Sequence, residues 1–235
     1  MLRRRRRESG DQPGPYEESL QDDQPPMQDT GGPWDISDDY PETERIDCGS
    51  LLIPVREGFD VQINVAEEQG AWVAVVHGES GMQLQAFAAP RSGGLWDEVR
   101  HEIAANIAES GGSCQESDGP AGTELHAQVP VGDESGQPGQ LQPVRVLGFD
   151  GPRWFLRGVI SGPAATDPSV GAPFDDLFAD VVVVRGDYPA PPREQLEIRL
   201  PEEARQALEA QLAEENGGWD LPDPFTRGPE ITETR

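Results

Sequence analysis

The chain has 235 residues, 35% of them hydrophobic, and a formal net charge of −26 from 44 acidic and 18 basic side chains. That length allows one or two domains; the Pro, Gly and acidic residues concentrate at the two ends, which favours one domain with a central stretch long enough to bury a core of its own. The acidic excess repels nucleic acid and anionic membrane as a whole, and no apolar run approaches the roughly 18 residues of a membrane span.

Residues 1–44 read as a disordered acidic tail opened by the run Arg3–Arg7. They hold too little apolar surface to offset the entropy of ordering. Trp34 and Ile36 are the exceptions, a short anchor able to dock on the domain or on a partner. No hydrophobic segment follows the Arg run, so it reads neither as a secretory signal nor as a twin-arginine signal. It could meet nucleic acid or anionic lipid, but the acidic residues behind it weaken both, and a solvated tail is the simpler reading. All 18 basic residues are Arg, which reads as a biased codon pool.

A single domain is expected over 45–200. Leu51–Val55 is a short apolar strand whose Pro54 suits a sheet edge. Phe59, Val61, Ile63 and Val65 alternate with polar residues and mark a half-buried strand. Trp72–His77 and Met82–Ala88 are two further strands around the tight turn HGESG. Leu95, Val99, Ile103 and Ile107 recur every four residues and predict a core helix, with Ser92 as its cap and Asp97 and Glu98 in its first turn. Strands at Ser113–Ser117 and Glu124–Val129 follow, then a hairpin over 143–162. PAATDPSVGAP reads as a loop, Phe174–Phe178 as a short helix, Val181–Val184 as a central strand buried on both faces, and Leu196–Leu200 as a last strand or extended arm. Pro201 opens a polar helix over 201–216. Residues 217–235 read as disordered, with Trp219, Leu221 and Phe225 as sparse apolar points. The element order predicts an α+β fold, a mostly antiparallel sheet with helices packed on it.

The hairpin PVRVLGFDGPRWFLRGVISG sorts its side chains by face. Trp154, Leu156 and Ile160 point one way, and Arg153, Phe155, Arg157 and Val159 the other. A three-residue turn at Asp150–Pro152 pairs Val146 with Leu156 and Arg145 with Arg157. A two-residue turn at Asp150–Gly151 instead drives Arg145 toward the core, where a charge is costly, so the longer turn is preferred. Arg145, Arg153, Phe155 and Arg157 then share an outer face. Arg forks match carboxylate and phosphate, so that face reads as a site for an anion or an acidic partner segment. The simpler reading is a set of structural ion pairs, with the arginines paired to acidic side chains beneath a helix, because such pairs outnumber sites on an acidic protein.

Catalytic patterns are missing from the sequence. Ser80 in HGESG is out of register for a nucleophile elbow, and there is neither a Walker loop nor a dinucleotide fingerprint. His77, His101 and His126 lack metal-ligand spacing, His77 and Glu79 lack a third positioned group, and Asp38–Asp39 and Asp175–Asp176 lack calcium-loop spacing. Cys48 and Cys114 form no disulfide framework and read as buried thiols of a reducing, cytoplasmic compartment. No cofactor or metal is expected.

The stretches GPWDISDDYPETERIDCGSLLIPVREGFDVQI, LQAFAAPRSGGLWDEVRHEIAANI, GTELHAQVPV, VRVLGFDGPRWFLRGVISG and VVVVRGDYPAPPREQLEIRLP together resemble the actinobacterial domain-of-unknown-function 3710 family, from about Gly32 to Pro201. Gly148–Gly162 is the most specific part. The resemblance implies a cytosolic protein and carries no functional residues with it. The order of strands and helices is also similar to the Mog1/PsbP-type α/β/α sandwich, whose members serve as binding or assembly modules, an analogy of fold alone. The expectation is therefore a cytoplasmic, non-catalytic binding or adaptor module. It contacts a protein partner or a small anionic ligand through Arg145, Arg153, Phe155 and Arg157. The alternative is a small enzyme or binder acting on a nucleotide or other phosphorylated metabolite.

Overall fold

The computed structural model describes residues 32–66, 70–131, 140–202, 205 and 206. The strands in chain order are β1 (Trp34–Asp35), β2 (Arg45–Asp47), β3 (Leu51–Pro54), β4 (Asp60–Ala66), β5 (Gly70–His77), β6 (Ser80–Ala88), β7 (Ser113–Gly119), β8 (Gly122–Pro130), β9 (Leu141–Gly151), β10 (Trp154–Ser161) and β11 (Val182–Val183). The helices are α1 (Leu95–Glu109) and α2 (Pro168–Ala179), with a 3-10 turn at Pro163–Ala165 before α2. β4-β5-β6-β10-β9-β8-β7 make a seven-stranded, wholly antiparallel sheet, and β1-β11-β3-β2 a smaller one in which β1 runs parallel to β11. The fold is α+β with mostly antiparallel strands, as the alternation in the sequence predicts.

The large sheet has two differently covered faces. One carries Val73, Val75, Met82, Leu84, Leu147, Trp154, Leu156 and Ile160 against Phe174, Leu177 and Phe178 of α2 and against Leu51, Ile53 and Val183 of the small sheet. The other carries Leu125, Val146 and Phe155 against Leu95 and Trp96 of α1. α1 lies over β7, β8 and β9.

The hairpin closes differently from the sequence reading. β9 and β10 pair Gly151 with Trp154, Val146 with Val159 and Arg145 with Ile160, so the turn is the two residues Pro152–Arg153. Pro fixes the φ of the first turn position, and Arg153 takes the left-handed φ of 65° that a type II turn needs at its second. The register moves by an odd number of residues from the expected one, which exchanges the faces of β9. Arg145 therefore lies on the α2 face, not on the face of Arg157.

Other departures have local causes. α1 is capped not by Ser92 but by Gly94 in the left-handed region, with the Asp150 carboxylate of β9 accepting from Trp96 N at 3.1 Å. The stretch read as a loop before Phe174 is the 3-10 turn and the first half of α2, which starts at Pro168 with the Asp167 side chain accepting from Ser169 N at 2.9 Å. Asp followed by Pro is a helix start, and burial of Phe174, Leu177 and Phe178 holds the helix together through Pro173. Residues 196–200 form no strand; Gln195 and Ile198 make single bridges to Phe87 and Gly49. The described fold reaches back to Gly32, because Trp34 N donates to Val181 O at 2.9 Å and Trp154 Nε1 donates to the buried Asp35 carboxylate at 2.6 Å. Residues 1–31 and 217–235, read as disordered, lie outside the described residues, as does most of the expected 201–216 helix, of which 202, 205 and 206 are helical.

Candidate anion site between the first helix and the sheet

The four hairpin residues singled out in the sequence go to three places. Arg145 is 5% exposed beneath α2. Its Nη2 donates to Glu124 of β8 at 3.0 Å and to Asp175 of α2 at 2.6 Å, and a Cβ on Gly171 of α2 would stand 2.9 Å from its Nη1. Burial works against its charge, and the two carboxylates raise its affinity for the proton above the usual value. Glu124 also takes His126 Nε2 at 2.7 Å, so Asp175, Arg145, Glu124 and His126 form one chain of polar contacts. Arg153 stands exposed in the turn, its carbonyl accepting from Ala89 N and Arg185 Nε.

Phe155 and Arg157 meet on the α1 face. Phe155 is buried between the rings of Trp96 and Phe87, with centroids at 5.7 and 6.0 Å. The close seat of Trp96 on β9 requires glycine at 148, where a Cβ would stand 2.2 Å from the indole. Beside these rings a cavity of about 150 Å3 opens between α1, β6 and β10. Phe87, Leu95, Val99 and Phe155 form its apolar walls, Arg157 one side, and Glu102 and Arg193 its rim.

Arg157 differs from the other inward-facing arginines. Arg45 meets Asp180 at 2.8 Å, Arg100 meets Glu116 at 2.9 Å, and Arg145 has its two carboxylates. Half-buried Arg157 meets no carboxylate among the described residues. Its partners are the side-chain oxygen of Gln85, to which Nη2 donates, and the Phe87 ring, 5.3 Å below the guanidinium carbon. Burial alone lowers its pKa from the usual value. A cation so placed is stabilised by the ring to the extent of about 0.5–2 kcal/mol, with no carboxylate bonded to it among the described residues.

Arg193 was not singled out in the sequence. Residues 193–196 run beside β6 where β5 leaves it: Arg193 N donates to Ala88 O at 2.7 Å and Leu196 N to Ala86 O at 2.8 Å. With a φ of 72°, Arg193 crosses to α1 and binds Glu102 at 2.8 and 2.9 Å and Glu98 at 2.9 Å. No local pattern in the sequence announces this contact, because its partners lie more than ninety positions away.

The histidines lie apart from this cavity. His77 stacks on Phe59 at 4.5 Å and its Nδ1 contacts Gly58 O; His101 contacts Asp97 O on α1; His126 lies on the α2 face with Arg145. Cys48 is fully buried, which together with Asp47 pushes its thiol up to about 11, and Cys114 is half-buried. A second cavity of about 230 Å3, at the end of α1, is lined by Ile103, Asn106, Ile107, Ser110, Val129 and Pro130, with no charged group among the described residues. Among the described residues no helix is long and apolar enough to cross a membrane, and no group of three or more His, Cys, Asp or Glu is placed to hold a metal ion.

A family model described as "Protein of unknown function (DUF3710)" matches residues 32–207. The comparisons with curated proteins and with solved structures return no match.

Proposed function

The chain belongs to the DUF3710 family through residues 32–207, and from that premise we propose that it is a binding module whose α1/β6/β10 groove seats an anionic group on Arg157. The observation that carries this reading is Arg157 itself, a half-buried guanidinium with Gln85 and Phe87 as partners and an open cavity beside it. Uncompensated buried charge is costly, so its presence at a cavity supports a role in recognition. Apolar walls with a few placed charged groups, here Arg157 with Glu102 and Arg193 at the rim, are the usual make-up of a ligand site. Phe155 shapes the site by packing rather than by touching solvent. Arg145 has its counter-charges and holds α2. Arg153 is four residues from Arg157, about 13 Å at about 3.3 Å per residue along a strand, so only a partner larger than a small ligand spans both.

The test is recovery of the intact protein from its native extract, with mass spectrometry of proteins and of small molecules released on denaturation. A stoichiometric companion should be retained by the wild type and lost from Arg157→Gln. Loss from Arg153→Ala as well identifies a macromolecule. A companion retained equally by Arg157→Gln removes the groove from the function.

A further inference from the structure

Resting on the reading of Arg157 as an anion seat, we propose that the group bound there is a singly charged carboxylate on a short aliphatic stem, and not a phosphate ester. Three observations converge. The first is size. A ligand of nucleotide dimensions needs a cavity of about 300–1,000 Å3, and the groove offers about 150 Å3. The second is charge. At the rim Arg193 is held by Glu102, which lines the groove, and by Glu98 just outside it, so this group of three charges is net negative. That rim opposes a dianion, while Arg157 opposite it balances a single negative charge. The third is the lining. The side chains of Phe87, Leu95, Val99 and Phe155 offer no hydrogen-bond donor to the additional terminal oxygen of a phosphate ester, and they suit methylene groups leading up to a carboxylate. The guanidinium has five N–H donors, of which Gln85 takes one, which leaves donors for the planar fork that carboxylates fit.

The same chemistry comes from two sources, a free aliphatic acid or the glutamate side chain of a polypeptide. Nuclear magnetic resonance on the full chain separates them, reading the Arg157 Nε–H signal and the Leu95 and Val99 methyl signals during titration with butyrate, N-acetylglutamate amide, inorganic phosphate and AMP. Both carboxylates should shift these signals saturably, and the tighter of the two names the source. Arg157→Gln should weaken carboxylate binding about tenfold or more, and Arg157→Lys, which keeps the charge but loses the fork, by less. Phosphate or AMP binding as tightly as the better carboxylate overturns the ligand class while leaving an anion seat at Arg157. Silence of these signals toward all four probes overturns the anion seat as well.

Discussion

Arg145 donates to Asp175 at 2.6 Å, and this bond fastens α2 to the sheet beneath it. The pair is buried together with Glu124, and among the described residues the Nε of Arg145 has no hydrogen-bond partner. Removing one member of such a cluster strands the charges of the others. Arg145→Met should therefore lower the unfolding free energy by about 3–5 kcal/mol. Adding Glu124→Gln and Asp175→Asn to the same chain should recover a large part of it. Equilibrium urea unfolding of the single and triple variants measures both. A single variant within about 1 kcal/mol of the wild type shows that the cluster does not hold α2.

Arg157 should behave in the opposite sense. Its charge is half-buried with no carboxylate partner among the described residues, and burial is what lowers its pKa. Arg157→Met keeps the methylene packing against Phe87 and removes the desolvated charge, so it should leave stability unchanged or raise it by up to about 1 kcal/mol, as substitutions that relieve strained sites do. The thermal midpoint of the purified variant reports this. A marked fall means that the guanidinium's bond to Gln85 supports the fold more than its burial opposes it.

Asp150 links β9 to the start of α1 through Trp96 N, and burial is the main cause that raises its carboxyl above the ordinary value of 3.8. An acid held above its unfolded value binds its proton more tightly in the folded chain. Its contribution to stability therefore grows as pH falls through the raised value, and it is complete only below the unfolded one. Relative to Asp150→Asn, which titrates in neither state, the wild type should gain stability as pH is lowered from about 7 to about 4. Paired urea titrations along that range check the sign. A wild-type advantage that shrinks on acidification contradicts the assignment.

Trp154 holds the N-terminal strand through the bond from its Nε1 to Asp35. Trp154→Phe keeps most of the buried ring and leaves the carboxylate short of a donor, at a cost of about 1–3 kcal/mol. Hydrogen exchange at Trp34 N, which is bonded to Val181 O, should accelerate more than exchange in the β6–β10 ladder. Equal acceleration in both means that β1 does not depend on this bond separately.

The strands β4, β5 and β6 and the helix α1 were legible because each declares its buried face by local period, as Phe59, Val61 and Ile63 or Leu95, Val99 and Ile103 do, although Val65, the next in the β4 alternation, ends up exposed. The hairpin's existence was legible for the same reason. Its register was not. The closing turn needs a left-handed φ at Arg153, which few arginines adopt, and the objection to burying Arg145 disappears only when Glu124 and Asp175, 21 and 30 positions away, are brought to it. The groove escaped notice in the same way, since Arg193 and α1 meet only in the folded chain. Arg157 and Phe155 could be picked out because both lie on one short strand; their separation from Arg145 followed from the turn.

The two-residue closure at Pro152–Arg153 has a consequence for how the chain finds this pairing. A hairpin slipped by one residue turns β9 over. Leu147 and Phe149 would then leave the α2 face, and Arg145 would move to the α1 side, away from Asp175 and Glu124. An apolar residue at 145 would tolerate either arrangement. The buried guanidinium tolerates one, so it acts as a check on strand alignment, separating the correct pairing from its nearest competitor before α2 settles over it.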